Sequence, residues 1–298
     1  MKNIGDPSTW SYGYELEVSN VPRKYNVPSH LGAWEHAERD IVNTAGQYRG
    51  VAADPLGVSP PVGGEINTVP TVGLEAQVDK ISELIRWCTE NSELPPDVGP
   101  SAHGHVHVHV PGLTGSPWHL QRLIGGVHRM QEFMVDRCGQ FVRMPDMDGA
   151  AVRYLHRDGG RLMPQYMIFN ILKMGHSFED FIRLHAAGKD GVSMGRPFRY
   201  AINTYCLKHT KTVEFRMFRG TLNRTYIRNS LLAAEAFLKI SLGFADLTAA
   251  SNFLTDLEFA PMLWDKELWD GLQATKHDEK RGKKIRNYVE LEGDLNVS

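Results

Sequence analysis

From Ala102 to Val110 the chain reads A-H-G-H-V-H-V-H-V, with histidine at 103, 105, 107 and 109 and valine at 106, 108 and 110. Strict two-residue alternation is the period of a β-strand and of no helix. Such a strand has an imidazole face and a valine face. The valines belong in a core, so the fold must pack one side of a sheet and leave the other for polar chemistry. Imidazoles bind metals and phosphate oxygens well. A strand rises about 3.3 Å per residue, so the four side chains cannot all reach one ion. One or two would serve, and the others would line the site or face a substrate. The plainer alternative is a polar strand face that happens to use histidine.

Two more segments alternate in the same way. In SYGYELEV, residues 11–18, Gly13, Glu15 and Glu17 share one face and Tyr14, Leu16 and Val18 the other. Carboxylates two apart on a strand lie roughly 6–7 Å apart at Cα. They repel unless solvated or bridged by a cation, and hard divalent ions take such oxygen ligands. In TVEFRMF, residues 212–218, Val213, Phe215 and Met217 face the core, with Glu214, Arg216 and Phe218 opposite. An acid and an arginine so placed form a cross-strand ion pair, or a metal ligand beside a phosphate-binding fork. Glu65 follows Gly63-Gly64, and Asp54 lies upstream; each is either a solvent-facing loop acid or a further ligand.

Helical spacing is clear over 72–90 and 224–243, and Ser116-Pro117 opens another helix that ends near Gly139. Helices are also expected over 31–49 and 164–187. Segments 198–206 and 211–218 read as strands joined by a turn near Lys208–Thr210, a hairpin. Residues 140–165 show no clear period. The last fifty-odd residues look helical and carry a basic run from Lys276 to Arg286. The strands are half-polar alternators, unlike those of a parallel sheet buried on both faces. The expected fold class is α+β: a mostly antiparallel sheet, helices on one face and an exposed polar face. Residues 1–240 form the expected core and 241–298 a helical extension packed on it.

Composition narrows the function. A formal net charge of −2 over 298 residues gives no global electrostatic case for nucleic-acid binding. No apolar run is long enough to span a membrane, and the first ten residues have no apolar signal core. Three scattered cysteines, Cys88, Cys138 and Cys206, read as free thiols in a reducing cytoplasm. The P-loop pattern G-x-x-x-x-G-K-[ST] is missing, so a nucleotide would have to be held some other way.

In order, the chain carries G-Y-E-L-E, then D-P followed by G-G-E-I, then H-V-H-V-H, R-Y-A-I-N, and T-V-E-F-R-M-F-R-G-T-L-N. This ordered set, spanning residues 11–230, resembles the amidoligases of the carboxylate–amine ligase group. They are found in bacterial and phage genomes and are similar in fold to glutamine synthetase and glutamate–cysteine ligase. The resemblance implies a glutamine synthetase-like catalytic core in which ATP phosphorylates a carboxylate and an amine attacks the acyl phosphate. It implies Mg2+, or Mn2+, held by Glu15, Glu17, Glu65, Glu214 and one of His105 and His107, with His107 the choice for metal. Glu214, Arg216, His105 and His107 are the implied catalytic set. Arg216, Arg219, Arg199 and Asn203 are implied for phosphate or substrate. Arg143, Arg153, Arg157 and Arg161 are expected to shape the substrate site.

The partners expected on this reading are small-molecule or peptide carboxylates and amines, with an acceptor attached to a nucleic acid or protein as a variant. Three other readings stand beside it: a hydrolase with zinc or iron on His105 and His107, an inactive binding or virion protein of the same fold, and nucleic-acid binding by the basic run. A hydrolase needs one general base, and the surplus of strand-borne acids counts against it. Because the acid face is expected to be exposed, Glu214→Gln is expected to remove activity with little loss of folding.

Overall fold

The computed structural model describes residues 4–18, 26–36, 64–92, 96, 98, 103–139, 141–145, 151–155, 162–186 and 200–259. The histidine segment forms a central strand, Gly104–His109. Numbered in chain order, the main sheet runs β2 (Gly32–His36), β3 (Gly64–Thr68), β1 (Ser11–Val18), β5 (Gly104–His109), β9 (Thr212–Phe215), β8 (Ile202–Asn203). A short β4 (Thr71–Val72) pairs the start of β1, and every pairing is antiparallel. The fold class is α+β, as the alternating strands imply.

The valine face builds the core. Val106 and Val108 are fully buried, and burying a side chain of this kind contributes about 1.5–3 kcal/mol. Helices α1 (Leu74–Glu90) and α5 (Arg224–Leu242) lie against the sheet, with α2 (Pro117–Cys138) packed beside α5. Helix α1 buries Leu74, Val78, Ile81, Leu84 and Cys88, the stripe its spacing predicts. Helix α5 starts at Asn223, whose Oδ1 accepts from the Thr225 and Tyr226 amides at 2.9 and 3.4 Å. It ends at Gly243, φ +85°, a left-handed stop that suits glycine. A Cβ on Gly126 would sit 1.9 Å from Ser241 Oγ, so α2 and α5 meet at backbone distance there. Ser116 precedes α2 as expected, yet its hydroxyl pairs with His119 Nδ1 at 2.6 Å instead of capping an amide.

Several expectations give way. Residues 32–36 are an edge strand, not part of a helix: Gly32–Trp34 pair with Ile66–Thr68, and the long-range ladder overrides the local pattern. The helix expected over 164–187 is two, α3 (Gln165–Met174) and α4 (Phe178–Ala186), interrupted at Gly175. Ser177 and Asp180 restart it by reciprocal 3.0 Å hydrogen bonds. The aperiodic 140–165 stretch contains a separate hairpin, β6 (Phe141–Pro145) with β7 (Ala151–Leu155). Its strands are too short for alternation to stand out. Within the strand expected over 198–206, the described residues keep only β8, because Asn203 caps a 3-10 turn over Thr204–Lys208. Phe218 does not face the polar side: β9 ends at Phe215, and Phe218 is buried, its ring stacked 6.2 Å from that of Phe259.

The largest correction concerns the polar face of the sheet, which is not exposed. Glu17, Glu65, His103, His105, Glu214 and Arg216 are all buried, none more than 8% exposed. Helix α6 (Leu247–Asp256), at the start of the expected C-terminal extension, packs on α5. Arg137 of α2 donates to the carbonyls of Thr255 and Leu257 at 2.6 and 2.7 Å. Asp54, Arg157, Arg161, Arg199 and the basic run lie outside the described residues. No helix among the described residues is long and apolar enough to cross a membrane.

Candidate functional site

The antiparallel register arranges the polar face in rows across the strands. In one row His107 stands opposite Gly13 on β1 and Glu214 on β9, and Glu214 stands opposite Asn203 on β8. The next row holds Asn67, Glu15 and His105, in register across β3, β1 and β5. A third brings Glu65 opposite Glu17, with His103 bridged to Arg219. Residues scattered from 13 to 219 thus share one surface because strands separated in sequence are neighbours in the sheet. A Cβ on Gly13 would meet the His107 Cβ at 3.6 Å, an ordinary van der Waals contact.

Glu15 and Glu214 organise the centre. Glu15 accepts from His107 Nε2 at 2.7 Å through Oε1 and pairs with His105 Nδ1 through Oε2. Glu214 Oε1 pairs with Arg216 and lies 3.9 Å from His105 Nδ1 and 4.0 Å from His107 Nε2. Its other oxygen, Oε2, accepts from Asn203 Nδ2 at 2.6 Å and from the Cys206 thiol at 2.9 Å. His107 Nδ1 is joined to Thr212 Oγ1 at 3.0 Å, which fixes the ring plane. Glu17 Oε2 accepts the backbone amide of His103 at 2.6 Å.

The electrostatics follow from this crowding. Burial works to raise the Glu15 carboxyl, but the charges and hydrogen bonds of His105 and His107 outweigh it and hold the group well below its ordinary range. Glu214 has the same balance: burial pushes it up, and Arg216 with the two imidazoles pulls it down further. His107 shifts upward, since Glu15 and Glu214 overcome the opposing effect of burial. The Cys206 thiol is pushed strongly upward by burial and by Glu214, so it stays protonated and donates.

Three donors, one each from Glu15, His105 and Glu214, lie within 4.8 Å of one another. The Nε2 of His105 is buried and makes no hydrogen bond among the described residues. Two carboxylates and an imidazole at this spacing fit a divalent cation. The oxygens suit Mg2+ or Mn2+, and the imidazole admits Zn2+ or Fe2+. Of the expected ligands, Glu15 and Glu214 sit at this centre, with His105 the nearer imidazole and His107 beside it. Glu17 and Glu65 form the adjoining row. Arg216 is at the centre and Arg219 at the edge, bridged to His103. Asn203 points at Glu214, within the cluster. His109, the last of the alternating imidazoles, is half-buried and stands opposite Thr212 and Ser11. Cys206 and Thr212 were not singled out in sequence. Thr212 had a signal, its place two residues before Glu214 on the same strand face, whereas Cys206 lies on a turn that no periodicity announces.

No family model and no curated protein matches the chain. Similar solved structures include two at low identity. One is a bifunctional glutathione synthetase from Pasteurella multocida, at 10% identity and a TM-score of 0.43, over 91% of this chain and 44% of that one. The chain therefore spans under half the length of that protein. The other is a glutamate–cysteine ligase from Francisella tularensis in complex with AMP, at 11% identity and a TM-score of 0.37, over 91% of this chain and 75% of that one. Likeness at this level assigns the chain neither a family nor an activity.

Proposed function

We propose that the chain is an ATP- and divalent-metal-dependent ligase that joins a carboxylate to an amine through an acyl phosphate. The observation that carries this reading is the convergence of Glu15, His105 and Glu214 on one buried sheet face, with Arg216 at the same carboxylate. The ordered motifs of residues 11–230 support it. A metal held there would neutralise phosphate charge and orient the transferring group. Glu15 and Glu214 would hold it, helped by His105; Glu17 and Glu65 would extend the acid surface along the sheet. Arg216 presents a planar fork suited to phosphate oxygens. In the reaction the γ-phosphoryl group passes to a carboxylate oxygen and ADP leaves. The amine nitrogen then bonds to the acyl carbon, phosphate departs, and the amine gives up a proton.

One observation favours a second reading. Both His105 and His107 contact Glu15, a pairing that also suits zinc or iron in a hydrolase. Incubation with ATP, Mg2+ or Mn2+ and a pool of amino acids, polyamines and small carboxylates separates the two. Substrate-dependent ADP is expected. AMP in place of ADP would replace acyl phosphate with adenylation. No nucleotide turnover, with zinc bound in the purified protein, would overturn the ligase reading in favour of the hydrolase.

A further inference from the structure

Glu214 presents its two oxygens unequally. Oε2 receives two donors, Asn203 Nδ2 at 2.6 Å and Cys206 Sγ at 2.9 Å. Oε1 alone faces Arg216 and the imidazoles. The donors are themselves fixed. Asn203 Oδ1 accepts the Tyr205 amide at 3.2 Å, which sets which way the side-chain amide turns and aims its NH2 at Glu214. The same NH2 lies 3.2 Å from Cys206 Sγ. Cys206 sits on the 3-10 turn that Asn203 caps, so turn, amide and thiol form one unit. That unit is placed by the β8–β9 register, in which Asn203 stands opposite Glu214.

We infer that Asn203 and Cys206 are positioning residues that restrict Glu214 to one-oxygen coordination and thereby select Mg2+ or Mn2+ over Ca2+. This rests on the metal-dependent reading above. A carboxylate oxygen has two lone-pair directions, and both on Oε2 are engaged. Ca2+ takes six to eight oxygens and commonly draws both from one carboxylate, whereas Mg2+ and Mn2+ want about six ligands in octahedral array, one oxygen from each. With Oε2 clamped, Glu214 can offer the second kind of ligation and not the first. Without the thiol, Oε2 keeps only the Asn203 donor, so one of its lone-pair directions opens and both oxygens can face a cation.

The test uses Mn2+ as probe on the full chain, with binding followed by electron paramagnetic resonance and Ca2+ added as competitor. Wild type is expected to bind Mn2+ and resist Ca2+. Cys206→Ala should weaken Mn2+ about tenfold, the scale of an outer hydrogen bond to a ligand, and Ca2+ should become the better competitor. Cys206→Ser keeps a donor and should restore the wild-type preference. A Cys206→Ala chain with the wild-type thermal midpoint and an unchanged Mn2+/Ca2+ ratio overturns the inference while leaving the metal site intact. Should the alanine chain fail to fold, a serine chain with lowered preference overturns it equally. A wild-type chain that binds no Mn2+ overturns the metal reading itself, and the inference with it.

Discussion

Glu214 and Arg216 are 3% and 4% exposed, so their pairing is an ion pair inside the protein. That alters what its removal does. On an exposed face Glu214→Gln would be nearly silent in stability. Inside, it takes the charge from beside Arg216 while leaving the guanidinium buried, and breaking one side of a buried pair typically costs about 3–5 kcal/mol. The variant is therefore expected to lose both divalent binding and several kcal/mol of stability in urea unfolding. A midpoint equal to wild type would show that the face is solvated after all. The types of these residues were legible in the sequence, because alternation puts Glu15, His105, His107, Glu214 and Arg216 on polar strand faces. Their burial was not, since alternation reports which side a residue faces and says nothing of what covers that side. Cys206 was invisible for a related reason: its role depends on a turn whose geometry is set by Asn203.

Among the elements, legibility followed length and contact range. Helices α1, α2 and α5 carry long periodic stripes with clear stops, and they appear where the spacing puts them. Strands β2, β6 and β7 are five residues each and owe their existence to the strands they pair with. Helix α4 shows how one element is tied to the site. Its His185 is buried, with Nδ1 donating to the Phe181 carbonyl at 2.7 Å and Nε2 accepting from Thr204 Oγ1 at 2.6 Å. Thr204 opens the turn that carries Cys206. Burial lowers the His185 pKa from 6.5 to about 4. Above pH 6.5 the folded and unfolded chains both hold this ring neutral, and it adds no pH dependence. Between pH 6.5 and about 4 the unfolded chain takes up the proton and the folded chain does not, so stability falls with pH. The shift corresponds to a few kcal/mol over that interval. His185→Gln, which retains a donor and an acceptor, should flatten the slope of unfolding free energy between pH 6.5 and 4. Parallel slopes for the two chains would show that this ring is not held neutral in the fold.

At the scale of the whole molecule, one sheet serves two opposed ends. Its apolar face, under α1 and α5, supplies the burial that drives folding. Its other face holds three buried glutamates, Glu17, Glu65 and Glu214, and the half-buried Glu15, whose desolvation opposes folding. Arg216 and the histidines offset part of that cost, and a divalent cation between Glu15, His105 and Glu214 would offset more. A cation that binds only the folded arrangement must stabilise it by mass action, by about 2.7 kcal/mol at a hundred times its dissociation constant. For a chain of this size that corresponds to a rise of roughly 4 °C in thermal midpoint. Mn2+ or Mg2+ should therefore raise the midpoint in a concentration-dependent way, and chelation should reverse the rise. Glu15→Gln removes a ligand at the centre of the cluster and should abolish the response, whatever its own effect on stability. The comparison is thus of shifts and not of midpoints, which separates ligation from any general loosening of the sheet. An equal shift in both chains would place the cation elsewhere on the molecule, and no shift in wild type would mean that the buried acids are balanced by protein groups alone.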